Sequence, residues 1–327
     1  MSLLTIGIPT FNRKEIVKKN ILNILSDNFL LDNDINLIVS DNGSTDDTFD
    51  TLCDIQEQYK FGKKFKVIKN KENLGFTKNI FELFKATDTK YLLLTSDEDF
   101  IVKKNFYILK NFLKKQRVTF ACSQIFINGI RVQGKNYNRN LKAKEWNCGA
   151  HISGLFYDVA SVNVIISKYY DLLTANHLYY PQNNIIAELM ISHPHSQWFF
   201  KYCLVQKKYN EPTYIGHNEK YPYWTLPGRW ESHLAEEKYL LTRYCNEISD
   251  YSKNLLKIFI KKIRFDLYNA FIFTIRQNNP EMLNDFRSGM LYTEFGPFSR
   301  LANLLHTTRN LILKILTKIK NLLKTIF

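Results

Sequence analysis

The chain has 327 residues, 45% of them hydrophobic and 14% aromatic, and its net charge is +14. This length and apolar content are sufficient to bury a full hydrophobic core. The five cysteines are an odd number without a C-x-x-C pair, which argues against a disulfide framework and indicates free thiols in a reducing cytoplasm. No signal peptide precedes the first predicted strand, so export is not expected.

Short apolar runs alternate with helical patterns in the first hundred residues. The predicted strands cover residues 4–9, 35–40, 65–69 and 91–96, and helical patterns separate them. Such alternation predicts right-handed crossovers and a mostly parallel sheet. Polar clusters follow the four strands at residues 10–13, 41–44, 73–78 and 97–99. Because ligands bind outside the carboxyl ends of parallel strands, we expect these clusters to share one site.

The fourth strand runs directly into three acids, Asp97, Glu98 and Asp99. Adjacent carboxylates repel one another unless a cation offsets them, and Mg²⁺ or Mn²⁺ binds carboxylates together with phosphate oxygens. The pattern therefore indicates a site for a metal ion and a diphosphate. The alternative is an acidic turn in which Glu98 or Asp99 caps a helix predicted over residues 101–115.

The segments PTFNRKE, SDNGSTDDT, NKENLGFTKN and SDED, in this order, resemble the motifs of the family 2 glycosyltransferases, which have the GT-A fold. The resemblance covers about the first hundred residues. It implies inverting transfer of a sugar from a nucleotide diphosphate sugar, aided by Mn²⁺ or Mg²⁺. The residues that it assigns to the donor or metal are Pro9, Thr10, Asn12, Arg13, Asp41, Asn73, Gly75, Lys78, Asn79, Asp97 and Asp99.

The resemblance also implies separate roles within this set. Asp41 would accept a hydrogen bond from the nucleobase, which favours uracil, while Asp97 would face the ribose and Asp99 the metal. Lys78 stands where the family has an arginine, so its contact with the diphosphate loses the bidentate geometry. Taken singly, residues 41–44 could form only a tight turn and residues 73–75 only a helix entry.

An inverting transfer needs a general base, and the Glu-Asp pair often seen in the family is missing. Glu188 is the first candidate, because it lies in an apolar helical segment beginning near Pro181, where burial would raise its pKa. Asp158 is the second candidate, although the favoured interpretation is that Asp158 caps a helix that begins near Ser161. His193 and His195 flank a proline with no further ligands nearby, so a zinc site is not expected.

The second half of the chain is less regular. Residues 209–230 combine prolines and aromatic rings, which suits either a sugar-binding loop or a structural cover for the sheet. Residues 239–275 have a helical pattern. Residues 300–327 form a basic amphipathic pattern with six Lys or Arg and no acid, which favours an anionic membrane surface over an oligomerisation helix. Its lysines interrupt the apolar runs too often for a transmembrane span.

Together these patterns predict an α/β protein with a GT-A, Rossmann-like, mostly parallel sheet flanked by helices and a mainly helical C-terminal extension. Residues 1–215 would be the catalytic domain, with 1–100 for the donor and 101–215 for the acceptor. Residues 216–299 would form the aromatic loop and extension, and 300–327 a terminal helix. The expected enzyme is a hexosyltransferase using a UDP-sugar and building a surface glycan or lipid-linked saccharide at the cytoplasmic membrane face.

Two alternatives remain open at this stage. The first is a non-catalytic basic protein that binds membranes or nucleic acid, although no nucleic-acid motif is present and the acids at 97–99 would repel phosphates. The second is a nucleotidyltransferase, which generally requires a glycine-rich phosphate loop after the first strand. Residues 8–11 are Ile-Pro-Thr-Phe and do not provide one. A homo-oligomer is possible, and no nucleic-acid partner is expected.

Overall fold

A computed structural model describes residues 2–32, 34–127, 129–149, 151–175, 178, 180–207 and 226–277. One sheet organises these residues. Its strands are β1 (Leu4–Thr10), β2 (Ile35–Asp41), β3 (Phe65–Lys69), β4 (Tyr91–Leu94), β5 (Phe100–Ile101), β6 (Phe120–Ile127), β7 (Ile130–Gln133), β8 (Arg139–Asn140), β9 (Leu155–Asp158) and β10 (Gln197–Lys207).

The strand order is β3-β2-β1-β4-β9-β6-β10-β5, with β7 paired to β6 and β8 paired to β10. The first four strands in this order are parallel, as predicted. Strand β9 is antiparallel to both β4 and β6, so the second half of the sheet is mixed. The chain passes from β1 outward through β2 to β3 and then returns to place β4 on the other side of β1. The crevice between the β1 and β4 loops is therefore a topological switch point.

The helices lie in two layers around this sheet. They are α1 (Lys14–Leu25), α2 (Phe29–Asp32), α3 (Thr48–Tyr59), α4 (Phe76–Ala86), α5 (Phe106–Lys115), α6 (Val159–Leu173), α7 (Pro181–Ser192), α8 (Leu226–Asn246) and α9 (Asp250–Gln277). One layer, with α1, α3 and α5, packs on a core that includes Leu93. The other layer, with α4, α6, α7, α8 and α9, packs on a core that includes Leu92 and Leu94. Alternate side chains of β4 thus pack on opposite faces of the sheet, because successive side chains of a strand point in opposite directions.

The predicted α/β class with a helical extension is confirmed, and most element positions agree with the pattern. One departure is the helix predicted over 101–115. Its α-helical part begins only at Phe106, after strand β5 pairs with β10 and residues 103–105 form a 3-10 turn. The pattern predicted over 239–275 is likewise divided between α8 and α9. The N-cap residue of α5 is Asn105, without a side-chain cap, so neither Glu98 nor Asp99 caps this helix. The alternative interpretation of these acids as helix caps is therefore wrong.

The extension is a helical hairpin in which α8 and α9 pack on each other and on α7. Helix α8 begins at Leu226, so the last residues of the predicted aromatic loop are helical. The rest of that loop, residues 209–225, and the predicted terminal helix, residues 300–327, lie outside the described residues. Within the ranges described here, no helix is both long and apolar enough to cross a lipid bilayer.

Candidate active site

The loops that follow β1 and β4 meet at the switch point through Asp97. The Thr10 hydroxyl donates a hydrogen bond to one oxygen of the Asp97 carboxylate at 2.9 Å, and the Arg13 guanidinium donates to the other oxygen at 2.9 Å. Arg13 also lies 3.6 Å from the carboxylate of Glu98. Burial raises the pKa of Asp97, while the neighbouring Arg13 and the Thr10 bond lower it. Three predicted donor residues are thus in direct contact.

Asn20, on α1, fixes the backbone of the acidic loop. Its Nδ2 atom donates to the carbonyl oxygens of Ser96, Asp97 and Asp99 at 3.3, 3.1 and 2.9 Å. The side chain is fully buried. Nothing in the sequence distinguishes this asparagine from a solvated one on an amphipathic helix. The structure gives it the role of holding the three carbonyls in a fixed arrangement beneath the acids.

Ser153 holds Asp99 from the opposite side. Its hydroxyl donates to Asp99 Oδ2 and accepts the backbone N–H of Ser96 at 2.8 Å. Gly154 follows with φ +76°, a left-handed conformation that favours glycine, and a Cβ there would also displace the Ser123 hydroxyl. Sequence reasoning missed Ser153, because its closeness to Asp99 arises from the antiparallel pairing of β9 with β4.

The β2 loop is built around Asp41, which is buried at the end of its strand. Both its carboxylate oxygens accept bonds from Ser44, one from the backbone N–H at 3.1 Å and one from the hydroxyl. Burial raises the pKa of Asp41, and the bonds from Ser44 oppose that rise. The Ser44 hydroxyl also accepts the N–H of Asn12 at 2.9 Å, and Asn12 Oδ1 accepts the N–H of Thr45 at 2.8 Å. These bonds join the β1 and β2 loops.

A network of asparagine side chains joins the β2 and β3 loops. Asn42 donates to Asn73 Oδ1 at 2.8 Å, and Asn70 donates to both Asn42 Oδ1 and Asn79 Oδ1 at 3.0 Å. Asn79 also accepts from the Ser40 hydroxyl at 2.6 Å. The predicted donor residues Asn73 and Asn79 are therefore engaged in holding loops together, which leaves their contact with a diphosphate a prediction.

The remaining predicted donor residues border the same edge. Pro9 is buried within β1. Gly75 is the N-cap of α4 with φ +80°, and the half-buried Lys78 lies in the first turn of that helix. Residues 73–75 do form a helix entry, in which Asn73 Oδ1 accepts the Gly75 N–H at 2.9 Å. The structure therefore brings all four polar clusters to one edge of the sheet.

The acidic loop suits a divalent ion that is bound partly by carboxylates and partly by the phosphate oxygens of a ligand. Within the described ranges, no group of three or more His, Cys, Asp or Glu side chains could hold a metal alone. Asp97 and Asp99 are both largely buried at the switch point, and a site with one or two carboxylates needs phosphate oxygens to complete the shell of Mg²⁺ or Mn²⁺. The donor set is made only of hard oxygen ligands, which suits these ions.

Glu188 is buried, as predicted, but it lies in an ion pair. Arg243 Nε donates to Glu188 Oε1 at 2.6 Å, Arg243 Nη2 donates to Oε2 at 3.3 Å, and the Tyr239 hydroxyl donates to Oε1 at 2.8 Å. These partners belong to α8 in the extension. A carboxylate held by a guanidinium and a phenol is poorly placed to accept a proton from an acceptor, so a structural role accounts better for Glu188.

Asp158 caps α6. Its Oδ1 accepts hydrogen bonds from the backbone N–H of Ser161 at 2.9 Å and from the Ser161 hydroxyl at 2.7 Å. This is the helix cap that the favoured interpretation predicted. Asp158 pairs with Tyr91 at the beginning of β4, whereas the acidic loop follows the end of that strand. Because these are opposite edges of the sheet, Asp158 lies away from the predicted donor site, and the prediction that it could act as general base is not supported by its position.

His193 and His195 also lie away from the donor edge. His193 is the C-cap of α7, and its carbonyl accepts from Gln197 Nε2 at 2.8 Å, next to the beginning of β10. The His195 carbonyl accepts from Asn140 Nδ2 at 2.6 Å. Both histidines are therefore part of the loop at the amino edge of the sheet.

Known proteins resemble this chain in sequence and in fold. The family model for glycosyl transferase family 2 matches residues 5–218. Abequosyltransferase RfbV of Salmonella typhimurium is 28% identical over 122 residues, which cover 37% of this chain and 36% of that protein. The match thus spans about a third of that relative's length.

Two solved structures share the fold. S. aureus TarS 1-349 in complex with UDP-GlcNAc has a TM-score of 0.60 and 13% identity, covering 98% of this chain and 90% of that one. A mannosyltransferase from Pyrobaculum calidifontis in complex with GDP-Man and Mn²⁺ has a TM-score of 0.54 and 11% identity, covering 98% and 86%. At these identities the likeness establishes the GT-A fold alone.

Proposed function

Because the chain belongs to glycosyl transferase family 2, we propose that it transfers a hexose or N-acetylhexosamine, with inversion, from a nucleoside diphosphate sugar to a saccharide acceptor. The observation that carries this proposal is the convergence of Thr10, Arg13 and the acidic loop at the switch point. Glycosyltransferase activity follows from the family. The class of sugar, the inversion at the anomeric carbon and the acceptor are proposed here in addition.

The proposed donor is a UDP-sugar. The TarS structure contains UDP-GlcNAc, and the archaeal mannosyltransferase contains GDP-Man with Mn²⁺. In this chain Asp41 supports uracil, since a carboxylate can accept the ring N–H that uracil offers. Both Asp41 oxygens already accept from Ser44, so the base would share one of them; each carboxylate oxygen has a second lone pair for this.

The chain's own residues would orient the diphosphate and balance its charge. Asp99 and Asp97 would hold Mn²⁺ or Mg²⁺, which when bound supplies Lewis-acid stabilisation to the leaving diphosphate. Asn20 and Ser153 keep the two carboxylates in place before any ligand arrives. Such preorganisation avoids reorganisation of the site during the reaction. Arg13 offsets the negative charge of the acidic loop, and Lys78 adds a cation at the edge of α4.

The proposed acceptor is a growing surface glycan or a lipid-linked saccharide at the cytoplasmic face of the membrane. The net charge of +14 favours anionic surfaces and lipid phosphates. Residues 300–327 would provide the membrane contact through their basic amphipathic pattern. The division of the chain into a catalytic domain, an extension and a terminal helix at residues 215 and 299 is part of the same proposal.

Nucleotide binding with and without metal tests the donor assignment. Calorimetric titration with UDP and GDP in the presence of Mn²⁺ should reveal one preferred nucleotide, followed by a screen of its sugars for donor hydrolysis. Asp99→Asn should weaken Mn²⁺-dependent nucleotide binding about tenfold or more, because it replaces a charged metal ligand with a neutral side chain of similar shape. Asp88→Asn, at the other end of β4, is the matched control. Undiminished Mn²⁺-dependent binding by Asp99→Asn, or no nucleotide binding by the wild type, would overturn the assignment.

A further inference from the structure

Helix α7 begins at the donor edge of the sheet. At its other end, Gln197 Nε2 donates to the carbonyls of Leu189 and His193 at 2.8 Å, beside the amino end of β10. A helix of 12 residues spans about 18 Å, roughly the height of the sheet. The first turn of α7 therefore lies towards the carboxyl ends of the strands. The Thr77 hydroxyl, in the first turn of α4, donates to the Leu178 carbonyl at 3.5 Å, which agrees with this placement.

A short segment connects this first turn to the acidic loop. Gln182 Nε2 donates to the Gly149 carbonyl at 2.9 Å. Four residues later, Ser153 donates to Asp99. Four extended residues span at most about 14 Å, so the beginning of α7 and the acidic loop border the same region.

A histidine and a glutamate from the extension face this turn. His233 Nδ1 and Glu236 Oε2 are 3.1 Å apart, and Asn183 Nδ2 donates to Glu236 Oε1 at 3.1 Å. Glu236 is fully buried, whereas the His233 side chain is 20% exposed. His233 and Glu236 are three residues apart on α8, so they lie on one face of the helix. The carboxylate is thus held at both oxygens, and only the imidazole reaches the surface.

Several buried side-chain polar atoms without hydrogen-bond partners belong to the first turn of α7 and to the residue that precedes His233 on α8. They are Oε1 of Gln182, Oδ1 of Asn183, both side-chain amide atoms of Asn184 and the hydroxyl of Ser232. A buried polar group without a partner destabilises the fold, and native proteins keep few of them. These atoms are shielded from solvent, so the first turn of α7 and the adjacent part of α8 form a polar interior next to Glu236, which Asn183 contacts.

We propose that His233 is the general base of the transfer and that Glu236 and Asn183 are its positioning residues; this inference rests on the proposed function. In the neutral tautomer that donates from Nδ1 to Glu236, the His233 Nε2 atom carries the lone pair. The acceptor O–H bond breaks and its proton passes to Nε2, while the acceptor oxygen forms a bond to the anomeric carbon. The bond from that carbon to the diphosphate breaks, and the nucleoside diphosphate leaves with the electron pair.

The charges around His233 suit this role. Burial lowers its pKa, but the bond to Glu236 and the charges of Glu236 and Asp266 outweigh burial and the opposing charge of Lys262, so the pKa is raised above 6.5. Lys262 is itself paired with Asp266 on α9. The imidazole is consequently a stronger base than a solvated histidine, and it is active once it has lost its proton.

The test uses the full chain with the donor sugar selected by the hydrolysis screen and water as the acceptor. The wild-type rate should rise with pH through the pKa of His233. His233→Gln should lower the rate about 10²-fold or more and abolish that rise, because a general base contributes 10²–10⁴-fold. Glu236→Gln should move the midpoint of the rise to lower pH, since it removes the carboxylate that raises the histidine pKa. Imidazole in the buffer should partly rescue His233→Ala.

Glu237→Gln is the matched control, because Glu237 is the buried neighbour on α8 and pairs with Arg264 instead. It should leave the rate and its pH midpoint unchanged. All variants should bind the nucleotide with Mn²⁺ as the wild type does, which shows that they are folded. A His233→Gln variant with the wild-type rate and pH profile would overturn the assignment of the base while leaving the proposed function intact. A wild type that neither binds nor hydrolyses any donor would overturn both.

Discussion

The Arg13 guanidinium donates a 2.9 Å hydrogen bond to the Asp97 carboxylate, and this ion pair joins two loops that are 84 residues apart in the sequence. The pair connects the loops that follow β1 and β4, across the crevice at the topological switch point. Because Asp97 is almost fully buried, the guanidinium compensates a charge that solvent cannot reach. The stability of the fold and the shape of the proposed donor site therefore depend on the same contact.

Replacing Arg13 should destabilise the protein. We expect Arg13→Gln to lower the free energy of unfolding by about 2 kcal/mol, since a buried carboxylate loses a charged hydrogen-bond donor. Denaturant unfolding measures the change. Lys14→Gln removes the neighbouring exposed pair with Asp47 and should have little effect. In the double variant Arg13→Gln/Asp97→Asn part of the loss should be recovered; equal losses for the double and single variants would contradict a buried ion pair.

Asn20 should be essential for donor binding although it is not expected to touch the donor. Asn20→Asp keeps the shape of the side chain but replaces the donor of three hydrogen bonds with an acceptor that repels three carbonyls. We expect the affinity for nucleotide with Mn²⁺ to fall about tenfold or more. Calorimetry measures this affinity. The exposed Asn23, on the same helix, provides the control Asn23→Asp, and similar affinities for the two variants would count against a rigid acidic loop.

Glu188→Gln should separate stability from catalysis. The change weakens a buried pair with Arg243, so the melting temperature should fall, while the turnover number at a temperature where the variant is folded should stay within about threefold of the wild type. Differential scanning calorimetry and donor hydrolysis give the two readouts. A hundredfold loss of turnover in the folded variant would restore Glu188 as the candidate base.

Gly43 should tolerate no side chain. Its φ is +72°, and an added Cβ would lie 2.5 Å from the backbone carbon of Glu72. Gly43→Ala must therefore displace the β3 loop and should lower both stability and nucleotide affinity. Gly62→Ala is the matched control, because Gly62 also has a positive φ of +56° but no atom within 4 Å of the added Cβ. We expect only a strain of about 1 kcal/mol there.

The His233–Glu236 pair should make stability depend on pH. The pKa of His233 is raised in the folded state, so the pair contributes its full stabilisation below the unfolded value of about 6.5 and loses it as the pH rises through the folded value. The wild type should exceed His233→Gln in free energy of unfolding by more at pH 5.5 than at pH 8.5. Urea titrations at both values measure this difference. An equal difference at the two pH values would show that Glu236 does not stabilise the imidazolium.

The order of strands, helices and polar clusters in the first hundred residues was predictable because it depends on local periodicity. Apolar runs ending in Thr10, Asp41 and the acids at 97–99 mark the carboxyl ends of strands, and parallel pairing brings those ends together whatever the side chains are. The same reasoning failed at the beginning of the helix predicted over residues 101–115, because Ile101 pairs with β10 and residues 103–105 form a 3-10 turn before the α-helix begins. For Glu188, helical periodicity predicted the burial of the side chain but not its partner Arg243, which is 55 residues away.

The spacing of residues along the chain was sufficient to predict the fold class, the family and a cluster of acids at the carboxyl end of the fourth strand. The long-range contacts could be found only in the folded protein: Asn20 and Ser153 hold the acidic loop, Asp158 lies at the opposite edge of the sheet, and Glu188 is paired with Arg243. Such partnerships join residues 50 or more positions apart. They depend on strand order and helix packing, which no local pattern encodes.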